Sequence, residues 1–333
     1  MRAFAPGRVN LIGDHTDHSG GLVLPMAIDL GTTVEGRAGG ASVELRSDWS
    51  DDLAIVPVEV THPASVEPTW ARYVAGVVSE LRPRQGLIGT VTTTLPVSAG
   101  LSSSAALEVA VALALGFDGT EAELAELCQR AEQAASGVPC GIMDQLASAA
   151  GVAGHALRID CTTLEVIPVP VPDDLDVLVV HSGQSRSLAG SAYAERAAAC
   201  RAAEAVVGPL RSATLGDLDA IADATVRRRA RHVVTENARV DELIAALAAG
   251  HRTLLGEVMA ASHASLRDDF EVSTRALDAL VEALVTRPGV IGARLTGAGF
   301  GGCVVALAEP GTRLPDDRQA WRVRPSAGAH RVG

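Results

Sequence analysis

Leu95-Pro96-Val97-Ser98-Ala99-Gly100-Leu101-Ser102-Ser103-Ser104-Ala105-Ala106 is the stretch on which the fold turns. Before it, residues 88–95 alternate apolar and polar as a strand does, stopping at Pro96. After it, residues 102–115 are rich in Ala and Leu and read as a long helix. Small residues between a strand and a helix let the backbone approach an anion, and free N–H groups with the helix dipole attract it. A serine hydroxyl there can also reach a metal ion on phosphates. One serine would suffice as an N-cap; three serines followed by two alanines exceed that need.

Working outward, both periodicities recur, so the class is mixed α and β. Residues 33–35 and 42–46, around a Gly-rich turn, are expected to form a hairpin. Helices are expected over 69–81, 121–135 and 142–150, and strands over 152–161, 164–169 and 175–181. Beyond Gly183 the texture becomes helical, over 188–207, 215–225, 226–248, 252–265 and 273–286, before strands at 291–295 and 302–307. A domain boundary is therefore expected near Gly183, giving units 1–183 and 184–333. The tail is rich in Pro, Arg and Gly, with one short strand near 321–323.

The 333 residues carry 28 basic and 40 acidic side chains, a net charge of −12. That is a poor match for nucleic acid or an anionic membrane. All the basic residues are Arg; the chain has no Lys. A Walker-A loop, a kinase strand lysine and Schiff-base chemistry are thereby excluded. Any phosphate must be met by Arg, backbone N–H groups, helix ends or a metal. The start has no apolar signal region, no apolar run is long enough to span a bilayer, and the five Cys lack metal or disulfide spacing. A cytoplasmic chain with reduced thiols is expected.

Three further segments carry more glycine and short polar residues than packing needs. Gly7-Arg8-Val9-Asn10-Leu11-Ile12-Gly13-Asp14-His15-Thr16-Asp17-His18 concentrates one Arg, two carboxylates and two His. Asp14, His15, Asp17 and His18 could bind a metal, although adjacent residues of a strand point to opposite sides. A polyol, whose hydroxyls want donors and acceptors together, suits them equally, and so does a solvated turn. Gly137-Val138-Pro139-Cys140-Gly141-Ile142-Met143-Asp144-Gln145 follows a helix carrying Glu132, and Asp144 alone could be only a helix cap. Leu295-Thr296-Gly297-Ala298-Gly299-Phe300-Gly301-Gly302-Cys303 has G-x-G-x-G spacing before a strand, which is not a dinucleotide fingerprint.

Taken together, with Trp70-Ala71-Arg72-Tyr73 and Ser191-Ala192-Tyr193, the segments closely resemble galactokinases of the GHMP small-molecule kinase superfamily over about residues 2–307. The resemblance implies an α+β, two-domain fold: a ribosomal-protein-S5-like N-terminal domain and a ferredoxin-like C-terminal domain, with the site between them. It implies ATP and Mg²⁺, and phosphorylation of a sugar at its C1 hydroxyl. Carried over, Ser98, Ala99, Gly100, Leu101, Ser102, Ser103 and Ser104 cradle the phosphates, and Trp70 and Tyr73 lie near adenine. Ser104 and Glu132 hold Mg²⁺. Asp14, His15, Thr16, Asp17, Gly141 and Tyr193 bind the sugar, and Arg8 and Asp144 flank the reacting hydroxyl. The implied partners are the sugar and ATP, for a monomeric chain.

Galactose is the expected substrate; arabinose or N-acetylgalactosamine is the alternative. A non-catalytic sensor is disfavoured, because it would not need Arg8, Asp144, Glu132 and Ser104 together. The sequence departs from the family pattern in four ways. Asp14 replaces a usual Glu, His18 a usual Tyr, and Ser98 a frequent Gly, and the chain after Leu307 is short. Asp14, one methylene shorter, is expected to read a C6 hydroxyl less strictly.

Overall fold

The chain is followed in a computed structural model that describes residues 1–96, 99–184 and 189–332. In order its elements are β1 (Arg2–Asn10), β2 (Leu22–Val23), β3 (Pro25–Ala38), β4 (Ser42–Ser47), β5 (Ala54–Pro57), α1 (Ala71–Leu81), β6 (Leu87–Thr93), α2 (Ser103–Ala114), α3 (Glu121–Ser136) and α4 (Met143–Ala150). Then follow β7 (His155–Asp160), β8 (Glu165–Pro170), β9 (Asp176–His181), α5 (Ala189–Val207), α6 (Ala224–Ala249), α7 (Arg252–Asp268), α8 (Arg275–Val285), β10 (Val290–Leu295), β11 (Cys303–Ala308), β12 (Ala320–Val323) and β13 (His330–Arg331).

Three sheets carry the strands. The largest has the order β13-β1-β3-β6-β4-β5, the second β10-β11-β9-β12, and the smallest β2-β7-β8. Helix α2 is buried along most of its length and packs on β1 and β3, which is why its Ala and Val side chains show no polar face. Helix α3 starts with a reciprocal cap, Thr120 and Glu123 each bonding the other's backbone N–H, and α6 starts with Asp223 accepting from Thr225 and Val226. One apolar core runs from β1, β3 and α2 through to Val240 and Leu243 of α6 and Val305 of β11; a second lies under α8.

Several expectations are corrected. Segments 33–35 and 42–46 do not pair with each other, because β6 lies between them, antiparallel to β3 and parallel to β4. The helix expected over 215–225 is only a short 3₁₀ turn at Asp217–Ala220; Thr214 bonds Asp217 locally, and Asp223 begins the next helix. Strands β1 and β2, unread in the sequence, frame the first polar cluster. Gly183 comes just after β9, whose sheet takes its other strands from later in the chain. Residues 309–319 cross without a helix, yet β12 still adds an edge strand beside β9. Asp176 pins this crossing by accepting from Gly311 N–H at 2.8 Å and pairing with Arg322 at 2.9 Å. The tail then returns to the first sheet, where β13 pairs with β1.

Candidate active site

A cleft of about 760 Å³ opens among β1, α2, α3, α4 and the loop after β10. Its catalytic-looking centre is Asp144, in the first turn of α4. Arg8, at the inner end of β1, grips that carboxylate bidentately, from Nε at 2.8 Å and from Nη2 at 2.7 Å. A third Arg8 donor reaches the Gly100 carbonyl at 2.8 Å, tying the serine loop to the same point. Ser102 donates its hydroxyl to Asp144 Oδ2 at 2.5 Å. The hydroxyl therefore serves the site rather than capping α2, and Ser102 takes a left-handed backbone (φ 58°) as it does so.

Ser104 and Glu132 also meet: the Ser104 hydroxyl donates to Glu132 Oε1 at 3.0 Å. Glu132 is pushed up to about 7, by burial first and by the Asp144 charge second. Gln145 donates to Glu132 and, at 3.2 Å, to the buried Glu108.

The sugar-like cluster forms the other end. His15 stacks near Phe270 at 4.7 Å and Tyr193 at 5.5 Å between ring centres. Its Nε2 lies 3.2 Å from the Ala298 carbonyl, which can only accept, so Nε2 carries the proton. Burial, then His18 and His232, keep the ring neutral, leaving its buried Nδ1 a lone-pair acceptor with no partner among the described residues. Burial first, then Asp144, raise Asp17 to about 7. Gly141 is glycine for a plain reason: a Cβ there would lie 2.0 Å from Asp17 Oδ2. Tyr193 hydrogen-bonds the Gly141 backbone, and burial raises its phenol.

Of the expected residues, Arg8, Asp14, His15, Asp17, Trp70, Tyr73, Gly100, Ser102, Ser103, Ser104, Glu132, Gly141, Asp144 and Tyr193 line the one cleft. Ala99 and Leu101 do not line it; their side chains are turned into the core. Thr16 is likewise not at the cleft wall: its hydroxyl donates to the Gly13 and Leu22 carbonyls and holds a turn together. Ser98 lies outside the described residues. Among those residues, no three His, Cys, Asp or Glu side chains are gathered for a metal, so Asp14, His15, Asp17 and His18 do not form such a site by themselves.

Some of the wall was not foreseen. Trp49, from the loop after β4, packs edge-on against Trp70 at 5.5 Å between ring centres. Thr32 and Thr93, a cross-strand pair 3.0 Å apart, and Gly297 and Ala298 of the glycine loop also line the cleft. Behind the wall, Arg294, fully buried on β10, donates to Asp14 Oδ2 at 2.6 Å and to the Leu11 carbonyl at 3.0 Å. The sequence signal of such support is polar His232, Glu236 and Asn237 placed i, i+4, i+5 on the buried face that α6 continues with Val240, Leu243 and Leu247.

Comparison with known proteins agrees with this layout. The galactokinase galactose-binding signature matches residues 1–38, the GHMP kinase N-terminal domain residues 72–152, and the GHMP kinase C-terminal domain residues 243–324. Human galactokinase is 45% identical over 324 residues, covering 92% of this chain and 83% of the human one. A galactokinase of Pasteurella multocida is 42% identical, with 92% and 85% covered. The crystal structure of Lactococcus lactis galactokinase complexed with galactose superposes with a TM-score of 0.91 at 34% identity, over 99% of this chain and 95% of that one. Methanococcus jannaschii mevalonate kinase, at 19% identity and a TM-score of 0.71 over 98% of each chain, shares the fold. With its two GHMP kinase domains and these relatives, the chain belongs to the galactokinase family.

Proposed function

We propose that the protein transfers the terminal phosphoryl group of ATP to the C1 hydroxyl of galactose, giving galactose 1-phosphate and ADP. The observation that carries this reading is the convergence of Arg8, Ser102 and Asp144 between a serine loop and a sugar-like polar cluster. Phosphoryl transfer asks chiefly for in-line placement and charge cancellation. His15 Nδ1, Asp17 and Tyr193 present acceptors and a hydroxyl to a sugar, while the N–H groups at the start of α2, with Ser103, face the phosphates. Trp49, Trp70 and Tyr73 offer ring faces for the base. The C1 oxygen bonds to phosphorus as the bridging oxygen leaves on ADP, and the hydroxyl proton is received or oriented by Asp144. Arg8 grips that carboxylate through two N–H groups and aims it.

Ser104 and Glu132 fit a Mg²⁺ ion shared with the phosphates: two hard oxygens 3.0 Å apart, one on a buried carboxylate that a cation would keep ionised. The ion would neutralise charge developing on the phosphates. No helix among the described residues is long and apolar enough to cross a membrane. None of the five cysteines forms a disulfide, which suits a reducing cytoplasm. A coupled ADP-release assay over galactose, 6-deoxygalactose, arabinose and N-acetylgalactosamine tests the reading. Galactose is expected to turn over fastest; no turnover with any of them would overturn it in favour of a sensor.

A further inference from the structure

Asp14 lines the sugar end of the cleft, yet both its oxygens are already engaged from behind. Oδ2 accepts from Arg294 at 2.6 Å, and Oδ1 accepts from the Gly297 N–H at 2.8 Å. Asp14 is 1% exposed and Arg294 fully buried. Arg294 also faces Glu236 at 3.6 Å, and Glu236 in turn accepts from the Gly13 N–H at 3.1 Å and pairs with Arg239 at 2.7 Å. Two carboxylates and two guanidiniums thus meet beneath the loop. The Asp14 carbonyl accepts from His232 Nε2 at 3.0 Å.

The next residue explains why so much support is placed here. His15 has φ 63°, a left-handed conformation that strains a side-chain-bearing residue unless its surroundings hold it. Bonds on both sides of His15 do so: Asp14 through carboxylate and carbonyl, and the His15 ring through Ala298. His15 itself lines the cleft, and its buried Nδ1 has no hydrogen-bond partner among the described residues.

We propose that Arg294 is a positioning residue for sugar recognition: it holds Asp14 as a strut that keeps His15 in its left-handed conformation, so Asp14 acts on the sugar through His15 rather than by bonding it. The proposal rests on the galactose reading of this end of the cleft. It accounts for the tolerance of a short Asp: Arg294 meets the shorter side chain within the protein, and no reach toward the ligand is required.

The test is equilibrium binding of galactose and of 6-deoxygalactose, by calorimetry without ATP, to wild type, Asp14→Asn, Arg294→Lys and the double variant. Each single change is expected to raise Kd about tenfold for both sugars, leaving their ratio at the wild-type value, and the double variant to be no weaker than the worse single one. KM for ATP should stay within about twofold, which a general loss of structure would not explain. Asp14→Asn weakening galactose while sparing 6-deoxygalactose would overturn the proposal, making Asp14 a direct C6 ligand. Wild-type affinity in Arg294→Lys, or additive effects in the double variant, would overturn it as well. If Arg294→Lys does not fold, Asp14→Asn, which leaves Glu236 beside Arg294, decides through the sugar ratio alone. Failure of the wild type to bind galactose would overturn the substrate reading instead.

Discussion

The two ends of the cleft are built on different plans. At the sugar end the chain fastens its side chains to itself: Asp14 to Arg294 and Gly297, and His15 Nε2 to Ala298. At the nucleotide end the wall is aromatic rings, a threonine pair and the uncapped start of a helix, with Ser104 bonded to Glu132 behind it. A small rigid substrate with many hydroxyls rewards exact placement of donors and acceptors. Phosphates and a base can be held by generic N–H groups and ring faces. Asp144 stands where the plans meet, gripped by β1 on one side and by the serine loop on the other.

The junction should show the largest effect. Asp144→Asn is expected to lose roughly 10²-fold or more in kcat while both substrates still bind, and Arg8→Ala to follow it. Near-normal turnover in Asp144→Asn would break the idea that the two ends converge on that carboxylate. Next comes the phosphate side: Glu132→Gln should raise the Mg²⁺ concentration for half-maximal rate by about tenfold, with galactose affinity unchanged. An unaltered Mg²⁺ titration would reduce Glu132 to packing. Smaller again, Trp70→Ala should raise KM for ATP by about fivefold through lost ring contact and leave KM for galactose alone. If both KM values moved together, the division into two ends would fail.

The smallest effect concerns stability and runs opposite to activity. Burial first and Asp144 second hold Asp17 at about 7 against an ordinary 3.8. The folded state therefore keeps a proton that the unfolded state has released, and stability from this group falls as pH climbs from about 4 to about 7. Asp17→Asn should abolish sugar binding yet stabilise the ligand-free protein by about 1 kcal/mol at pH 8, with no gain at pH 4. Thermal unfolding at the two pH values checks the sign. Equal stability of the variant and wild type at pH 8 would show that the sugar end carries no such cost.

Much of this was legible in the sequence, and the misses have physical causes. The serine loop is legible from its small residues between strand and helix, whereas the roles of Arg8, Asp144 and Glu132 come only with the family resemblance, Asp144 alone reading equally as a helix cap. Most helices were legible from periodicity, and the absence of lysine excluded other phosphate sites. Strand β1 is hidden because Pro6 and Gly7 interrupt its alternation, where its pairing with β3 also shifts register. The hairpin failed because sheet order is a tertiary matter: β6 wedges between two segments that local turn signals would join. Arg294, Glu236 and His232 carry no motif, since a lone charged residue in a strand or helix becomes meaningful only when something 200 or more positions away is brought against it. Thr16 misled in the opposite direction; in a run of polar residues nothing marks the one that serves the turn itself.

The fastening of the sugar loop also sets a timetable for synthesis. Its anchors lie 218 positions downstream at His232, 223 at Glu236, 280 at Arg294 and 283 at Gly297 and Ala298. Pairings that distant form slowly, and those of Arg294, Gly297 and Ala298 cannot form until β10 and the loop after it have left the ribosome. A nascent chain that already displays the whole first polar cluster therefore lacks the Arg294, Gly297 and Ala298 supports of that cluster until β10 and its glycine loop emerge.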